Sequence, residues 1–173
     1  MLEGKNINLR IVEKDDLIII KEWTNNLHID GEYSPILQET IKDLEKLYDN
    51  LKEGKWYFIE KKDEIKIGFI LHMLSGSGVP GIGYAIIPSE RGKGYGTEAV
   101  KIVIDYIFLS KNIVRITAKT HPDNIASQKV LEKSGFKKEG ILRKEMFFRG
   151  KWNDNALFSI LREEWEGTKR LLK

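Results

Sequence analysis

The sequence contains no cysteine and only three histidines among its 173 residues. Without cysteine, the chain has no disulfide bond, no thiol nucleophile and no thiolate ligand for a metal. The histidines, His28, His72 and His121, show none of the spacings that are typical of zinc sites. The composition therefore predicts a protein without a metal site.

Long apolar runs are also missing from the sequence. No stretch approaches the roughly 18 apolar residues that would cross a membrane. The first twenty residues carry charges throughout, unlike the apolar segment of a signal peptide. We therefore expect a cytoplasmic protein with no membrane partner. The formal charge of +3 is a mild excess that does not favour nucleic acid as a partner, although basic residues can still gather around an anionic ligand.

The length predicts one domain over residues 1–173, because domains commonly have about 100–200 residues. Periods of two and of three to four residues alternate along the chain. They predict the order strand, two helices, three strands, helix, strand, helix and two strands, with a first strand at 6–12 and a second helix that stops at Gly54. This order indicates a mixed α/β domain around one sheet, with a core at about 6–166 and a solvated tail at 167–173.

The stretch RGKGYG, Arg91–Gly96, lies between a predicted strand and a predicted helix. Glycine permits positive φ angles and lets the backbone approach a ligand closely. A helix start presents unpaired amides and a partial positive charge, which together bind phosphate. Arg91 and Lys93 add formal positive charge beside it. These residues predict a pyrophosphate-binding loop, and a glycine-rich turn without a ligand is the alternative.

Two common phosphate-binding motifs do not fit this stretch. Lys93 is followed by Gly94 instead of serine or threonine, so the P-loop pattern fails. The segment GYGTEA, Gly94–Ala99, matches the dinucleotide fingerprint formally, but it lies in the middle of the chain, and the four residues PSER separate the preceding strand from the first glycine of the loop, Gly92. A nucleotide-binding protein remains an alternative, and thermal stabilisation by ATP or NAD would reveal it.

The segment IIPSERGKGYGTEAV resembles the acetyl-CoA-binding motif [RQ]-x-x-G-x-[GA] of the GNAT N-acetyltransferases, filled here by Arg91, Gly94 and Gly96. HPDNIASQKVLEKSGF, His121–Phe136, is similar to the second conserved block of that family. LRIVEKDDLIIIKEWTNN and EGILRKEMFFRGKWNDNALFSILREEW resemble the start and the end of its branch of ribosomal-protein N-terminal acetyltransferases. The resemblance covers about residues 6–166. It implies a mixed, mostly antiparallel sheet flanked by helices, acetyl-CoA as co-substrate, no metal, and an amine acceptor, and it is compatible with a homodimer.

The resemblance also implies which residues bind coenzyme A. In the family, the loop amides hold the pyrophosphate, the preceding strand splays so that its backbone pairs with the pantetheine arm, and an asparagine contacts that arm. Carried over, these roles fall on Ile86, Arg91, Gly92, Lys93, Gly94, Tyr95, Gly96, Thr97 and Asn124. Lys129, on the helix that follows, is added as a cofactor-binding residue because its side chain could reach a phosphate. The alternatives are core packing for Ile86, a helix N-cap for Asn124 and a solvated lysine for Lys129.

The resemblance implies that Ser127 is the catalytic residue, since some relatives have a serine there that faces the thiolate leaving group. A hydroxyl on the surface of a helix is the alternative. Spermidine acetyltransferases instead use a tyrosine four residues further on. That position is Leu131 here, which cannot donate a proton, and this departure weighs against a polyamine acceptor.

The family mechanism is direct attack of a neutral amine on the thioester, with positioning and backbone amides as the main contributions of the protein. An α-amine has a pKa of about 8, so roughly a tenth is neutral at pH 7. It needs little help from a base, and the strand GIGYAII has no carboxylate. The base stays open among Glu32, Glu60, Glu139 and Asp154.

These observations predict an acetyl-CoA-dependent N-acetyltransferase whose acceptor is the α-amine of a protein N-terminus. The stretch HIDGEYSPI, His28–Ile36, is interpreted as the lining of the acceptor site, where acidic residues would suit a cationic amine. One alternative is an acetyltransferase for a small-molecule amine such as an aminoglycoside or a polyamine. Another is a coenzyme A-binding module without turnover.

Overall fold

The computed structural model describes residues 1–51, 53–74 and 78–167. Within these ranges, eight strands form one sheet. The strands are β1 (Leu2–Glu3), β2 (Ile7–Ile11), β3 (Lys55–Lys61), β4 (Lys66–Leu74), β5 (Pro80–Ile86), β6 (Arg115–Thr120), β7 (Lys137–Phe148) and β8 (Lys151–Leu161). The α-helices are α1 (Leu17–Thr24), α2 (Leu27–Asp30), α3 (Ile41–Asp49), α4 (Tyr95–Ser110) and α5 (Ile125–Lys133). The predicted solvated tail falls almost wholly on residues 168–173, outside the described residues.

The strands lie in the order β1-β2-β3-β4-β5-β6-β8-β7. Every neighbouring pair is antiparallel except β5 and β6, which are parallel and are connected by the crossover helix α4. The prediction of a mixed, mostly antiparallel sheet flanked by helices is therefore confirmed. The short strand β1 and the single helical turn α2 are additions to the predicted order.

The pairing of β5 with β6 is short. The register joins only Gly81 to Thr117 and Ile82 to Ala118. On its other edge, β5 stays paired with β4 along its whole length, from Pro80 to Ile86. The backbone from Gly83 to Ile86 therefore has an edge that β6 does not cover, and the two strands diverge there as the resemblance implied.

The sheet carries a hydrophobic layer on each face. On one face, α4 buries the side that its spacing predicted, namely Ala99, Val100, Val103, Ile104, Ile107 and Phe108. On the other face, α1 and α3 bury Leu17, Ile20 and Leu44 against Phe58 of β3. Each of the valine, leucine, isoleucine and phenylalanine side chains among them contributes about 1.5–3 kcal/mol to folding when it is fully buried. Burial on both faces explains why β3 and β4 show continuous apolar runs instead of alternation.

Helix α3 begins at a capping box, in which the Thr40 hydroxyl accepts from the Asp43 amide and the Asp43 carboxylate accepts from the Thr40 amide. The helix ends at Asp49, with Asn50 as its C-cap. The predicted stop at Gly54 is therefore wrong. Glycine is required there because a Cβ atom would lie 2.4 Å from the His72 carbonyl oxygen of β4.

Candidate active site

A cleft of about 770 Å³ opens where β5 and β6 diverge. One wall is the uncovered half of β5, and a second is the glycine-rich loop with the first turn of α4. The start of α5 forms a third wall. The fourth consists of residues 31–34, which open the α2–α3 loop (residues 31–40). The divergence of the two strands thus creates the space that the glycine-rich loop faces.

Two glycines give the loop its conformation. Gly92 has a φ of +78° and Gly94 a φ of +89°, in the left-handed region that favours glycine. Gly94 is also the N-cap of α4, and it makes no side-chain cap hydrogen bond. The first amides of the helix, from Tyr95 to Thr97, have no intrahelical acceptor. They lie at the positive end of the helix dipole, so this end of the cleft attracts an anion.

The predicted site residues come together in this cleft. Its lining includes Ile86, Arg91, Gly92, Gly94, Tyr95, Gly96, Thr97, Asn124, Ser127 and Lys129. Lys93 is the predicted site residue that is not part of the lining. Its ammonium group instead bonds the Glu90 carboxylate at 3.0 Å and its side chain is half exposed. A surface ion pair of this kind is weak, so the pair is compatible with a lysine that turns toward a phosphate.

Arg91 is engaged with the backbone of the protein itself. Its Nε donates to the Ile86 carbonyl oxygen at 2.8 Å, and its Nη2 donates to the Ile29 carbonyl oxygen at 2.5 Å. The side chain therefore ties the end of β5 to α2. Its positive charge stays beside the loop, while its hydrogen bonds connect one wall of the cleft, β5, with helix α2.

Asn124 is the N-cap of α5. Its Oδ1 accepts from the Ser127 amide at 3.0 Å, which is the alternative that the sequence had suggested. This bond occupies the amide oxygen and fixes the first turn of α5 against the cleft. The role of Asn124 in binding the pantetheine arm stays a prediction.

Ser127 meets a partner that the sequence reasoning had missed. The Tyr84 hydroxyl lies 3.0 Å from Ser127 Oγ and donates to the Ser127 carbonyl oxygen at 3.2 Å. Tyr84 belongs to the uncovered half of β5, so the contact spans the cleft. Burial raises the pKa of Tyr84 to about 12. The signal for it was available: Tyr84 is two residues from Ile86, and alternate residues of a strand share one face.

Leu131 does not line the cleft. It is almost fully buried, at 1% exposure, among the side chains that α4 packs against the sheet. The fold thus agrees with the prediction that this position supplies no proton donor.

Of the four candidate bases, Glu32 lines the cleft. Glu60 on β3 accepts from Arg10 Nε at 2.9 Å, and Glu139 on β7 accepts from Arg115 at 3.1 Å. Asp154 accepts from the Lys144 amide at 2.8 Å within the β7–β8 hairpin. None of these three lines the cleft, and their contacts give each of them a structural role.

The α2–α3 loop is fixed at the mouth of the cleft from two sides. Arg149, in the turn between β7 and β8, donates to the Gly31 carbonyl oxygen at 2.9 Å and to the Ser34 carbonyl oxygen at 3.3 Å. The Tyr33 ring stacks on His121, with centroids 5.1 Å apart. The predicted acceptor segment therefore does border the cleft. The side chain of Asp30, the other acid in that segment, lies outside what the structure describes.

Within the described ranges, no group of three or more histidine, aspartate or glutamate side chains could hold a metal ion. No helix in the described part of the chain has both the length and the apolar character needed to cross a membrane. His72 is buried in β4 beside Tyr57 and Tyr106, and burial lowers its pKa to about 4. It does not line the cleft.

Comparison with known proteins connects this geometry to a family. Residues 6–137 match the family model described as an acetyltransferase (GNAT) domain. The N-acetyltransferase YnaD of Bacillus subtilis is 30% identical over 93% of this chain and 96% of its own length. The probable N-acetyltransferase YjcK of the same species is 45% identical, but the match covers only 49% of this chain and 47% of that protein. The spermidine N(1)-acetyltransferase of Vibrio cholerae is 26% identical over 94% of this chain and 96% of its own length.

Solved structures share the whole fold. A GNAT-family acetyltransferase from Bacillus anthracis superposes with a TM-score of 0.78 and 26% identity, over 94% of this chain and 98% of that chain. The ribosomal-protein-S5-alanine acetyltransferase from Vibrio fischeri gives a TM-score of 0.76 and 25% identity, over 95% of this chain and 98% of that chain. Similar proteins thus include one named for an alanine of ribosomal protein S5 and one named for spermidine.

Proposed function

Because the chain belongs to the GNAT acetyltransferase family and is an N-acetyltransferase by that membership, we propose that its acceptor is the α-amine of a protein N-terminus. The donor is acetyl-CoA, as in the family. The observation that carries the proposal is the cleft between β5 and β6. Its lining combines the first turn of α4, where unpaired amides and the helix dipole attract an anion, with residues 31–34 of the α2–α3 loop.

In the proposed complex, the first amides of α4 bind the pyrophosphate of acetyl-CoA. The uncovered backbone edge of β5, from Gly83 to Ile86, bonds the amides of the pantetheine arm in the manner of an added strand. This places the thioester between β5 and α5. Ser127, on the first turn of α5, then stands beside the sulfur atom.

The acetyl transfer needs no acylated residue. The lone pair of the amine nitrogen forms the C–N bond at the thioester carbonyl carbon, and the electrons of the C–S bond leave with the sulfur as a thiolate. The nitrogen gives up a proton to water or to the Glu32 carboxylate, and Ser127 donates a hydrogen bond to the thiolate. Holding both reactants in this arrangement is the main contribution of the protein.

The scarcity of bases in the cleft supports an α-amine. At pH 7 roughly a tenth of an α-amine is neutral, whereas a lysine-like primary amine with a pKa of about 10.4 is neutral to only about 0.04%. The second kind of acceptor needs a strong and well-placed base. Of the four candidate carboxylates, only Glu32 lines the cleft, at its mouth, which favours the acceptor that loses its proton more readily.

A polyamine is the second candidate, and one observation favours it. Glu32 and Glu90 both line the cleft, and two carboxylates attract a polycation. Against it stands Leu131, which is buried in the core where spermidine acetyltransferases have their tyrosine.

The test measures thiol release from acetyl-CoA by the purified protein with a panel of acceptors. The panel contains peptides with free N-termini, the same peptides with blocked N-termini, spermidine and an aminoglycoside. We expect release with free N-termini only, and Ser127→Ala should slow it about 10-fold or more, the usual scale for a lost charge-assisted hydrogen bond in a transition state.

Release with spermidine or the aminoglycoside alone would overturn the α-amine proposal and move the function to small-molecule acetylation. Tight binding of coenzyme A without release from any acceptor would indicate a binding module. Glu32→Gln separates the two acceptor classes further. It should slow a spermidine reaction strongly and a peptide reaction only slightly, because the α-amine depends less on a base.

A further inference from the structure

We propose that Tyr84 is the positioning residue for Ser127, and that its phenol decides whether the Ser127 hydroxyl proton points toward the leaving sulfur. The inference rests on the proposed function, in which Ser127 stands beside that sulfur. It extends the proposal, because it assigns a role to a residue on the opposite wall of the cleft that the family resemblance did not supply.

The geometry allows two arrangements of protons. Tyr84 Oη lies 3.0 Å from Ser127 Oγ and 3.2 Å from the Ser127 carbonyl oxygen, and each hydroxyl has one proton to donate. In the first arrangement, Tyr84 donates to the carbonyl oxygen and Ser127 donates to Tyr84. The serine proton is then withheld from the cleft. In the second, Tyr84 donates to Ser127 Oγ, and the serine proton is free to point at a ligand.

Charge on the sulfur selects the second arrangement. A thiolate accepts hydrogen bonds far better than a neutral thioester, and bonds to an ionised acceptor are roughly twice as strong as neutral ones. As the C–S bond breaks, the chain Tyr84 to Ser127 to sulfur therefore forms, and each bond strengthens the next. This chain of hydrogen bonds stabilises the transition state more than the bound thioester, since it forms only when negative charge develops on the sulfur.

Tyr84 is suited to holding this chain without giving up its proton. Burial raises the pKa of Tyr84 to about 12, well above the roughly 8.5 of an alkyl thiol. The thiolate leaves with a hydrogen bond from Ser127, and its own proton comes later from water. Proton and charge therefore balance without a tyrosinate.

The surroundings explain why the phenol comes from β5. The position one turn after Ser127 on α5 is Leu131, which is buried in the core. The facing strand is therefore where a phenol can reach Ser127. Tyr84 stands on it opposite Ile70 of β4, in the part of β5 that β6 leaves uncovered. Two charged groups of α5, Lys129 and Lys133, also line the cleft, so their effect on a thiolate must be separated from that of the hydroxyl pair.

The experiment needs no acceptor. The pKa of the thiol of bound coenzyme A is measured by ultraviolet absorbance of the thiolate, as the difference between complexes with coenzyme A and with desulfo-coenzyme A. The subtraction removes the absorbance change of the protein itself. Lys129 and Lys133 are unchanged in every variant, so their effect on the thiolate cancels when the thiol pKa values are compared. The variants are Tyr84→Phe, Ser127→Ala and the double variant. The control is Tyr48→Phe, which loses a comparable bond from its phenol to the Val12 carbonyl oxygen, away from the cleft.

We expect a thiol pKa about one unit higher in Tyr84→Phe and in Ser127→Ala than in the wild type, equivalent to about tenfold less thiolate. The double variant should show no further rise, because both changes break one chain. Tyr48→Phe should leave the thiol pKa unchanged.

A wild-type thiol pKa in Tyr84→Phe, or additive shifts in the double variant, would overturn the role of Tyr84. If Tyr84→Phe does not fold, the Ser127→Ala complex still tests the proposal. An unchanged thiol pKa in that complex would show that Ser127 does not stabilise the thiolate, and Tyr84 would then have no group to position. Failure of the wild type to bind coenzyme A would instead overturn the proposed function, and calorimetric titration distinguishes that result from the others.

Discussion

Gly94 is the residue whose replacement tests the glycine-rich loop most directly. It has a φ of +89° and a ψ of −7° and serves as the N-cap of α4. A Cβ atom at this position would meet no heavy atom within 4 Å, so Gly94→Ala brings no steric clash. Its cost is purely conformational, about 1–2 kcal/mol for an L-residue in the left-handed region.

This free energy must appear in one of two measurements. If the loop keeps its shape, the free energy of unfolding falls by about 1–2 kcal/mol, which lowers the Tm by about 2–8 °C for a chain of this size. If the loop relaxes, the amides of Tyr95 and Gly96 move and the Kd for coenzyme A rises about 5- to 30-fold. Urea unfolding measures the first quantity, and calorimetric titration measures the second.

The matched control is Gly140→Ala. Gly140 lies in β7, where a Cβ would also meet open space, but its φ is outside the positive range. If Gly94→Ala matched the control in both stability and coenzyme A affinity, the backbone of the loop would not have the strained conformation on which the phosphate-binding argument depends.

Three further results are expected. Burial lowers the pKa of His72 to about 4 from 6.5, so as the pH falls the unfolded chain binds a proton before the folded chain does, and up to about 3 kcal/mol of the free energy of unfolding is lost between about pH 6.5 and pH 4. The free energy of unfolding, measured at about pH 7 and pH 5, should therefore change less with pH in His72→Phe than in the wild type. The control His28→Gln, which replaces an exposed histidine, should show the same change with pH as the wild type. Arg149→Ala should speed amide hydrogen exchange in the α2–α3 loop about tenfold or more, because two hydrogen bonds to carbonyl oxygens are lost, whereas the control Lys151→Ala, at the start of β8, should not. Leu131→Ala should lower the free energy of unfolding by about 2–5 kcal/mol and leave the Kd for coenzyme A unchanged; a weakened Kd would place Leu131 at the cleft instead of in the core.

The apolar pattern of the sequence predicted a helix or strand well where one face of that element is buried. The apolar spacing from Ala99 to Phe108 placed α4 and its buried side correctly. The two long strands around the Arg149 turn are confirmed as β7 and β8. The predicted helix stop at Gly54 was wrong because a glycine after a helical pattern usually marks the C-terminus of the helix, whereas a side chain at position 54 would collide with the backbone of β4.

The candidate site depends on contacts that no local pattern contains. The divergence of β5 from β6 was implied by family resemblance, because periodicity fixes which residues form a strand but not where its pairing stops. Tyr84 and Ser127 are 43 positions apart, and only the tertiary fold brings the two hydroxyls together. Likewise, the four acidic candidates looked equivalent until the fold separated Glu32 from the others.

The strut that Arg91 forms between β5 and α2 has a thermodynamic consequence. One guanidinium bonds both the strand that would bind the pantetheine arm and the helix that leads into the acceptor loop. A movement of either segment when one substrate binds would therefore pass through Arg91 to the segment that contacts the other substrate. If acetyl-CoA changes the acceptor's affinity through this arginine, the acceptor must change the affinity for acetyl-CoA by the same factor. A single side chain would then couple the occupancy of the two halves of the cleft.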